Sequence, residues 1–175
     1  MDNVVEQITI RPIQDDDSME ELTTLLHRAY KRLGDMGLRY FATHQTVEQT
    51  RRRVEQGECF VAVQDGKLIG TIALYTVPGK ESPETYRRED TGWFGQFGIN
   101  PEAQENGLGN RMLRFIEEHA IDRGLRFLAL DTSEKATHLI EWYQRHGYQI
   151  VEETEWNVTN YRSVVMSKEL KSSAE

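Results

Sequence analysis

In the stretch "INPEAQENGLGNRML", Ile99 to Leu113, two glycines one residue apart follow an apolar run and open a segment with helical apolar spacing. A helix N-terminus carries unpaired N–H groups and a partial positive charge. A glycine there lets the oxygens of an anion reach the backbone with no Cβ in the way. The chemistry on offer is phosphate binding by Gly107, Gly109 and the amides around them. The plainer reading gives Gly107 a turn and Gly109 a close helix contact, and a lone G-x-G does not separate the two.

The residues that follow narrow the choice of phosphate. A nucleotide P-loop needs Lys and then Ser or Thr after its second glycine, but Asn110 and Arg111 follow Gly109. A dinucleotide fingerprint wants a third glycine where Met112 stands. Asp131 lies at a suitable distance downstream for a ribose, yet such a fold opens with its fingerprint, and here too few elements remain after it.

Other side chains able to do chemistry are few. The one cysteine, Cys59 in "ECFVAV", lies in a strand-like run and reads as a buried structural thiol. His138 and His146 fall on adjacent faces of one helix without the partners a metal needs, so no metal is expected. His119, among Glu117 and Glu118, reads as part of a solvated face. For Asp90, Asp131 and Glu134, surface or capping roles are the simpler reading. Tyr143 shares an apolar helix face with Leu139, Trp142 and His146.

These residues must be positioned by the elements around them. "EQITIRPIQ" alternates like a half-buried strand and stops at Pro12. "DDDSMEELTTLLHRAYKRLG" places acids and a capping Asp or Ser before Leu22, Leu25, Leu26 and Ala29, which predicts a helix ending near Gly34. Thr46 with Gln49 three residues on predicts the start of a second helix, stopped at Gly57. Two β-rich runs joined by Asp65-Gly66 read as a hairpin, and "PGKESPETYRRED" as an exposed loop. "TGWFGQFGIN" is a strand whose interior glycines suggest a bulge or a close backbone approach. A helix from about Gly107 to Arg123 follows, then the strand "LRFLALD", a helix stopped by Gly147, and two strands around the turn "TN". The pattern is an α/β or α+β domain with a mixed sheet, in which the glycine-opened helix is a parallel crossover between neighbouring strands.

Composition bounds the function. The 175 residues suffice for one core, with no linker, internal repeat or low-complexity tract. A formal net charge of -8 argues against nucleic acid, and "RRR" at Arg51 to Arg53, among Glu48, Glu55 and Glu58, reads as a solvated helix face. An acidic surface favours a cationic partner by steering. With one cysteine no internal disulfide can form, and no signal core or bilayer-length apolar run is evident, so the expected location is the cytoplasm, away from membranes.

At the glycine loop the sequence resembles the GNAT superfamily of acetyl-CoA-dependent N-acetyltransferases. The resemblance covers most of the chain and is best from Gly92 to Tyr148. The family's loop pattern is met by Gln104, Gly107 and Gly109, directly after Asn100-Pro101. Its second feature, an aromatic pair with a later glycine and aromatic, is met by "WYQRHGY", Trp142 to Tyr148, at the usual separation. One departure is visible: many members carry Asn where this chain has Ala136, leaving a side-chain contact to the cofactor there without its usual residue.

The resemblance implies a single GNAT-like domain over residues 1–175, with a mixed, mostly antiparallel twisted sheet flanked by helices. A splayed central strand pair, "WFGQFGI" and "RFLALD", would form the coenzyme A cleft. It further implies that the backbone of Phe97, Gly98 and Ile99 pairs with the pantetheine. Gln104 and the amides of Glu105, Asn106, Gly107, Leu108, Gly109 and Asn110 would hold the pyrophosphate. Gly95 and Gly98 would let the strand bulge and the thioester approach.

The implied reaction moves an acetyl group from acetyl-CoA to a primary amine by direct attack through a tetrahedral intermediate. A backbone N–H near Ile99 would stabilise the oxyanion, and Tyr143 is the candidate acid for the departing thiolate. If Tyr143 only packs, Phe would serve as well. The base is open: members that use a carboxylate often carry it on the strand that here offers only Gln96, which leaves Asp90, Asp131, Glu134 or a water chain. That missing carboxylate keeps a second reading alive, a non-catalytic acyl-CoA-binding module.

Acceptor pockets in the family map to Met36 through Phe41, to "ESPETYRRED" and to "EWNVTNYRS". These bring Tyr40, Phe41, Tyr86, Trp156 and Tyr161 with Asp35 and Glu155, a rim suited to an ammonium. The acceptor is expected to be a small-molecule or peptide amine. A homodimer through the last hairpin is also compatible.

Overall fold

The computed structural model describes residues 7–171. The first six residues, on which the reading of a chain without a signal core partly rests, lie outside that range. Strands β1 (Thr9–Pro12), β2 (Glu58–Gln64), β3 (Lys67–Tyr75), β4 (Thr91–Ile99), β5 (Phe127–Ser133), β6 (Gln149–Glu155) and β7 (Arg162–Glu169) form a seven-stranded sheet in the order β1-β2-β3-β4-β5-β7-β6. Helices α1 (Met19–Asp35), α2 (Val47–Glu55), α3 (Leu108–Asp122) and α4 (Thr137–Arg145) flank it.

Local chemistry explains the boundaries. Ser18 caps α1 by accepting from the Glu21 N–H at 3.1 Å. At α2, Thr46 accepts from the Gln49 N–H at 3.1 Å while Gln49 Oε1 accepts from the Thr46 N–H at 2.8 Å, so each offsets an orphan donor of the other. Asp65 and Gly66 turn the β2–β3 hairpin with φ of 55° and 72°, the left-handed pair that a two-residue turn requires. The loop expected to be exposed is partly folded inward: a 3₁₀ turn, Glu84–Arg87, buries Tyr86 to 2% exposure.

The strands alternate between two cores. Phe60, Ile72, Leu74, Phe94, Leu128, Leu130 and Met166 share one cluster with Met112, Leu113 and Ile116 of α3 and Tyr143 of α4. On the other face Val61 packs with Leu22, Leu25 and Leu26 of α1. Each fully buried Leu or Ile contributes roughly 1.5–3 kcal/mol through apolar burial, so the sheet is held from both sides.

All neighbouring strands are antiparallel except β4 and β5. These two are parallel and pair only from Thr91 opposite Phe127 to Trp93 opposite Ala129. Beyond Trp93 they are no longer paired, and the opening lies at the middle of the sheet. This is the splayed pair that the resemblance implied.

Candidate active site

β4 changes register where it leaves β5. Ala73 of β3 stands opposite Gly95 and Thr71 opposite Gly98, so Gln96 and Phe97 together face Ile72. The extra residue is a bulge, which bends a strand and re-aims its amides. The sequence reading gave the bulge to Gly95 and Gly98, but the left-handed conformation falls on Gln96, with φ of 50°. That conformation costs a non-glycine residue about 1 kcal/mol or more. The buried Gln96 side chain is held in return, its amide 3.0 Å from that of Gln45 and its other end beside Arg53. Gly98 serves packing: a Cβ there would meet the Ala29 Cβ at 3.0 Å.

The segment after β4 is a short 3₁₀ helix, Pro101–Asn106, with Asn100 as its cap. Gly107 then takes φ of 72° and turns the chain into α3. The first intrahelical bond of α3 is Arg111 N–H to the Gly107 carbonyl, 3.1 Å, so the amides of Leu108, Gly109 and Asn110 have no partner within the helix. They can hold a phosphate group.

A cleft of about 670 Å³ runs between α1 and α4 across the end of β4 to this helix start. Of the expected site residues, Phe97, Gly98, Ile99, Gln104, Gly107, Gly109, Asn110 and Tyr143 line it. Leu108 turns its side chain into the core, and Asn106 lines a separate hollow beside β3. Glu105 belongs to the 3₁₀ helix that leads into Gly107. Gln104 Nε2 donates to the Ile99 carbonyl at 3.1 Å, fastening the loop to the strand end. The Phe97 carbonyl accepts from Tyr30 Oη. His146 bridges α4 to α3 through the Trp142 carbonyl and the Asn110 side chain.

Tyr143 is 7% exposed, packed among Phe94, Trp142 and Tyr148. Its hydroxyl makes no hydrogen bond within the described residues, and the residue lines the cleft. Burial pushes its phenol well above its usual range, so it keeps its proton. Core packing and proton donation are both compatible with that position.

A second pocket, about 440 Å³, lies on the α1–α2 face of the sheet. The five aromatics expected around the acceptor, Tyr40, Phe41, Tyr86, Trp156 and Tyr161, all line it, and Tyr30 lines both pocket and cleft. The expected acids do not: Asp35 lies at the cleft paired with Lys31, and Glu155 with Arg162. Asp131 is the one carboxylate among the described residues that lines this pocket. It accepts from Tyr86 Oη at 2.5 Å and from Trp156 Nε1 at 3.0 Å. Burial raises its pKa above the usual carboxylate value, while those two donors and nearby Arg53 oppose the rise.

Two surface assignments change. Arg51 and Arg52 face solvent with Glu48, but Arg53 is half-buried and lines the pocket. His119, expected on a solvated side, packs on Phe60, and its Nε2 bonds Glu58, which Arg123 also pairs with at 2.7 Å. Cys59 is buried, and burial lifts its thiol to about 11, too high for a thiolate at neutral pH. Among the described residues no group of three or more His, Cys, Asp or Glu side chains is placed to hold a metal ion, and no helix is long and apolar enough to cross a membrane.

A family model described as "Acetyltransferase (GNAT) family" matches residues 19–148, from the start of α1 through the last aromatic of "WYQRHGY". The chain belongs to that family. This GNAT enzyme is an acyltransferase whose relatives are named N-acetyltransferases. An S-(2-succino)cysteine N-acetyltransferase of Bacillus subtilis is 32% identical over 131 residues, 74% of this chain and 77% of that protein. An S-alkylcysteine N-acetyltransferase of the same organism is 26% identical over 138 residues, 77% of this chain and 75% of that one. Among solved structures, a GNAT family acetyltransferase from Elizabethkingia anophelis with acetyl-CoA bound superposes with a TM-score of 0.65 at 19% identity, covering 93% of this chain and 98% of that one. That likeness concerns the fold.

Proposed function

We propose that this enzyme transfers the acetyl group of acetyl-CoA to a primary amine of a small molecule by direct attack. The carrying observation is the junction of the two cavities. The cleft that ends on the amides of α3 and the aromatic pocket around Asp131 share Tyr30, and the β4 bulge lines both, through Gln96 on the pocket side and Phe97 on the cleft side.

In this reading the amides of Leu108, Gly109 and Asn110 take the pyrophosphate, with Gly107 setting their direction. The edge of β4 that β5 leaves unpaired, at Phe97, Gly98 and Ile99, pairs with the pantetheine as an added strand would. The thioester supplies the activated acetyl group at the bulge. The amine enters from the aromatic pocket, and Asp131, made more basic by burial, takes its proton directly or through water. An amide of β4 near Ile99 stabilises the oxyanion of the tetrahedral intermediate, and Tyr143 gives a proton to the leaving thiolate. The relatives named for acetylating S-substituted cysteines support a small acceptor.

The test is release of free thiol from acetyl-CoA with and without a panel of amines, beside calorimetric binding of acetyl-CoA and NAD. Amine-dependent release is the expected result. Tight acetyl-CoA binding with no release on any amine would sink the transferase mechanism, and binding of NAD in place of acetyl-CoA would sink the cofactor.

A further inference from the structure

We propose that the acceptor is a zwitterion of the α-amino-acid class, its carboxylate held by Arg53 at the wall of the aromatic pocket. The inference rests on the N-acetyltransferase reading above and adds the identity of the second charge on the acceptor.

Arg53 stands in the last turn of α2. Its two basic neighbours point outward and pair loosely with Glu48, each at 3.9 Å. Arg53 makes no ion pair among the described residues, although it is half-buried. It is nevertheless held in place. Its guanidinium lies 5.0 Å over the Phe41 ring. With the Gln96 amide turned so that its oxygen faces the guanidinium, that oxygen accepts from Arg53 Nη1 at 2.9 Å. Arg53 Nη2 lies 3.5 Å from where a Cβ on Gly95 would sit, beside the β4 bulge.

A guanidinium has five N–H donors in a planar fork suited to a carboxylate, and Gln96 uses only part of that set. A half-buried cation that makes no ion pair, with the Asp131 charge acting on it only at longer range, is favourably placed for a ligand that brings an anion. Asp131 does not fill that place: no ion pair joins it to Arg53, and its two oxygens already accept from Tyr86 and Trp156. The pocket therefore presents a cation beside the bulge and a partly buried carboxylate on the β5 wall.

An acceptor with only positive charge, such as a polyamine, would meet Arg53 as a like charge. In an α-amino acid the amine and the carboxylate share one carbon. A carboxylate on Arg53 beside Gly95 therefore keeps the amine at the bulge, where β4 meets the cleft. The acceptor's side chain then lies among Tyr40, Phe41, Tyr86, Trp156 and Tyr161.

The experiment measures acetyl-CoA-dependent thiol release for a set of α-amino acids with aliphatic, aromatic and S-substituted side chains, each beside its own carboxamide. The carboxamide is the more readily deprotonated amine, so a preference for the free acid reports recognition of the carboxylate. Wild type should favour the free acids in kcat/KM by about 30-fold or more, the cost of leaving one partner of a desolvated charge pair unmatched. In Arg53→Gln the ratio should fall to near one, mainly through KM for the acids, and Arg53→Lys should keep part of it. A wild-type ratio near one, or the same ratio in Arg53→Gln, overturns the proposal while leaving the transferase intact. Absence of release on any amine overturns both. Should Arg53→Gln fail to fold, the wild-type ratio and the charge-retaining Arg53→Lys still decide.

Discussion

Tyr30 Oη donates to the carbonyl of Phe97 at 2.7 Å, tying the middle of α1 to β4 one residue past the left-handed Gln96. The bond fixes the bulge from the helix side, and the same ring lines both the cleft and the aromatic pocket. Tyr30→Phe removes the donor and leaves the ring. The variant should lose about 1 kcal/mol of unfolding free energy in urea, the usual worth of one such bond. KM for acetyl-CoA and for the acceptor should both rise. Unchanged stability would mean that the bulge is held by Gln45 and Arg53 alone.

Tyr143→Phe separates packing from proton transfer. The ring contacts with Phe94, Trp142 and Tyr148 survive the change, so stability and acetyl-CoA binding should hold. If the phenol protonates the thiolate, kcat should fall about 100-fold, the low end for a lost general acid. An acid must carry its proton to act, and burial shifts this phenol upward. The pH profile of kcat should therefore show no descending limb from Tyr143 at or below the ordinary phenol value of 10.0. Unchanged kcat in the variant would return Tyr143 to core packing.

The two loop glycines should respond differently. Gly107 holds φ of 72°, so Gly107→Ala carries backbone strain of about 1 kcal/mol although its Cβ would meet no atom within 4 Å. Gly109 has no such conformation, and a Cβ there would stand 3.4 Å from Ile99 Cδ1 and 3.7 Å from Trp142, in ordinary contact. Gly109→Ala should therefore fold normally and gain up to about 1 kcal/mol of helix propensity. Gly109→Trp must put an indole into the cleft and should abolish calorimetric binding of acetyl-CoA. Retained binding in the Trp variant would move the pyrophosphate away from α3.

What the sequence made legible was local. Asp65-Gly66, the Thr46–Gln49 box and the apolar spacing of α3 each act within a few residues, so the hairpin and the helix starts could be read directly. A bulge on β4 could be read from its glycines, but not the residue that carries it, because Gln96 is held in its costly conformation by Gln45, which is distant along the chain. Nor could Asp131 be singled out as the pocket's carboxylate, since its two donors come from separate loops. Arg53 was within reach: it follows the buried Thr50 by three residues and so shares its helix face, but the three-arginine run masked that phase. His119 is a similar case, three residues after the fully buried Ile116.

Asp131→Asn tests the carboxylate as a charge. The amide can keep both neighbours, its oxygen accepting from Trp156 Nε1 and its nitrogen donating to Tyr86 Oη, so stability near neutral pH should change by no more than about 1 kcal/mol. Asp131→Ala strands both partners and should cost about 1–3 kcal/mol for each. Because the folded pKa of Asp131 is raised above its usual 3.8, the folded state binds this proton more tightly than the unfolded chain does. Its stabilising contribution is full below 3.8 and is lost as pH rises through the raised value, so wild type should gain on Asp131→Asn when the solution is acidified. Urea denaturation of the two proteins across that window measures the difference. A catalytic base predicts in addition a loss of about 100-fold in kcat/KM for the Asn variant at neutral pH. A stability difference of the stated sign with normal turnover would keep Asp131 as a wall of the pocket and leave proton removal to water.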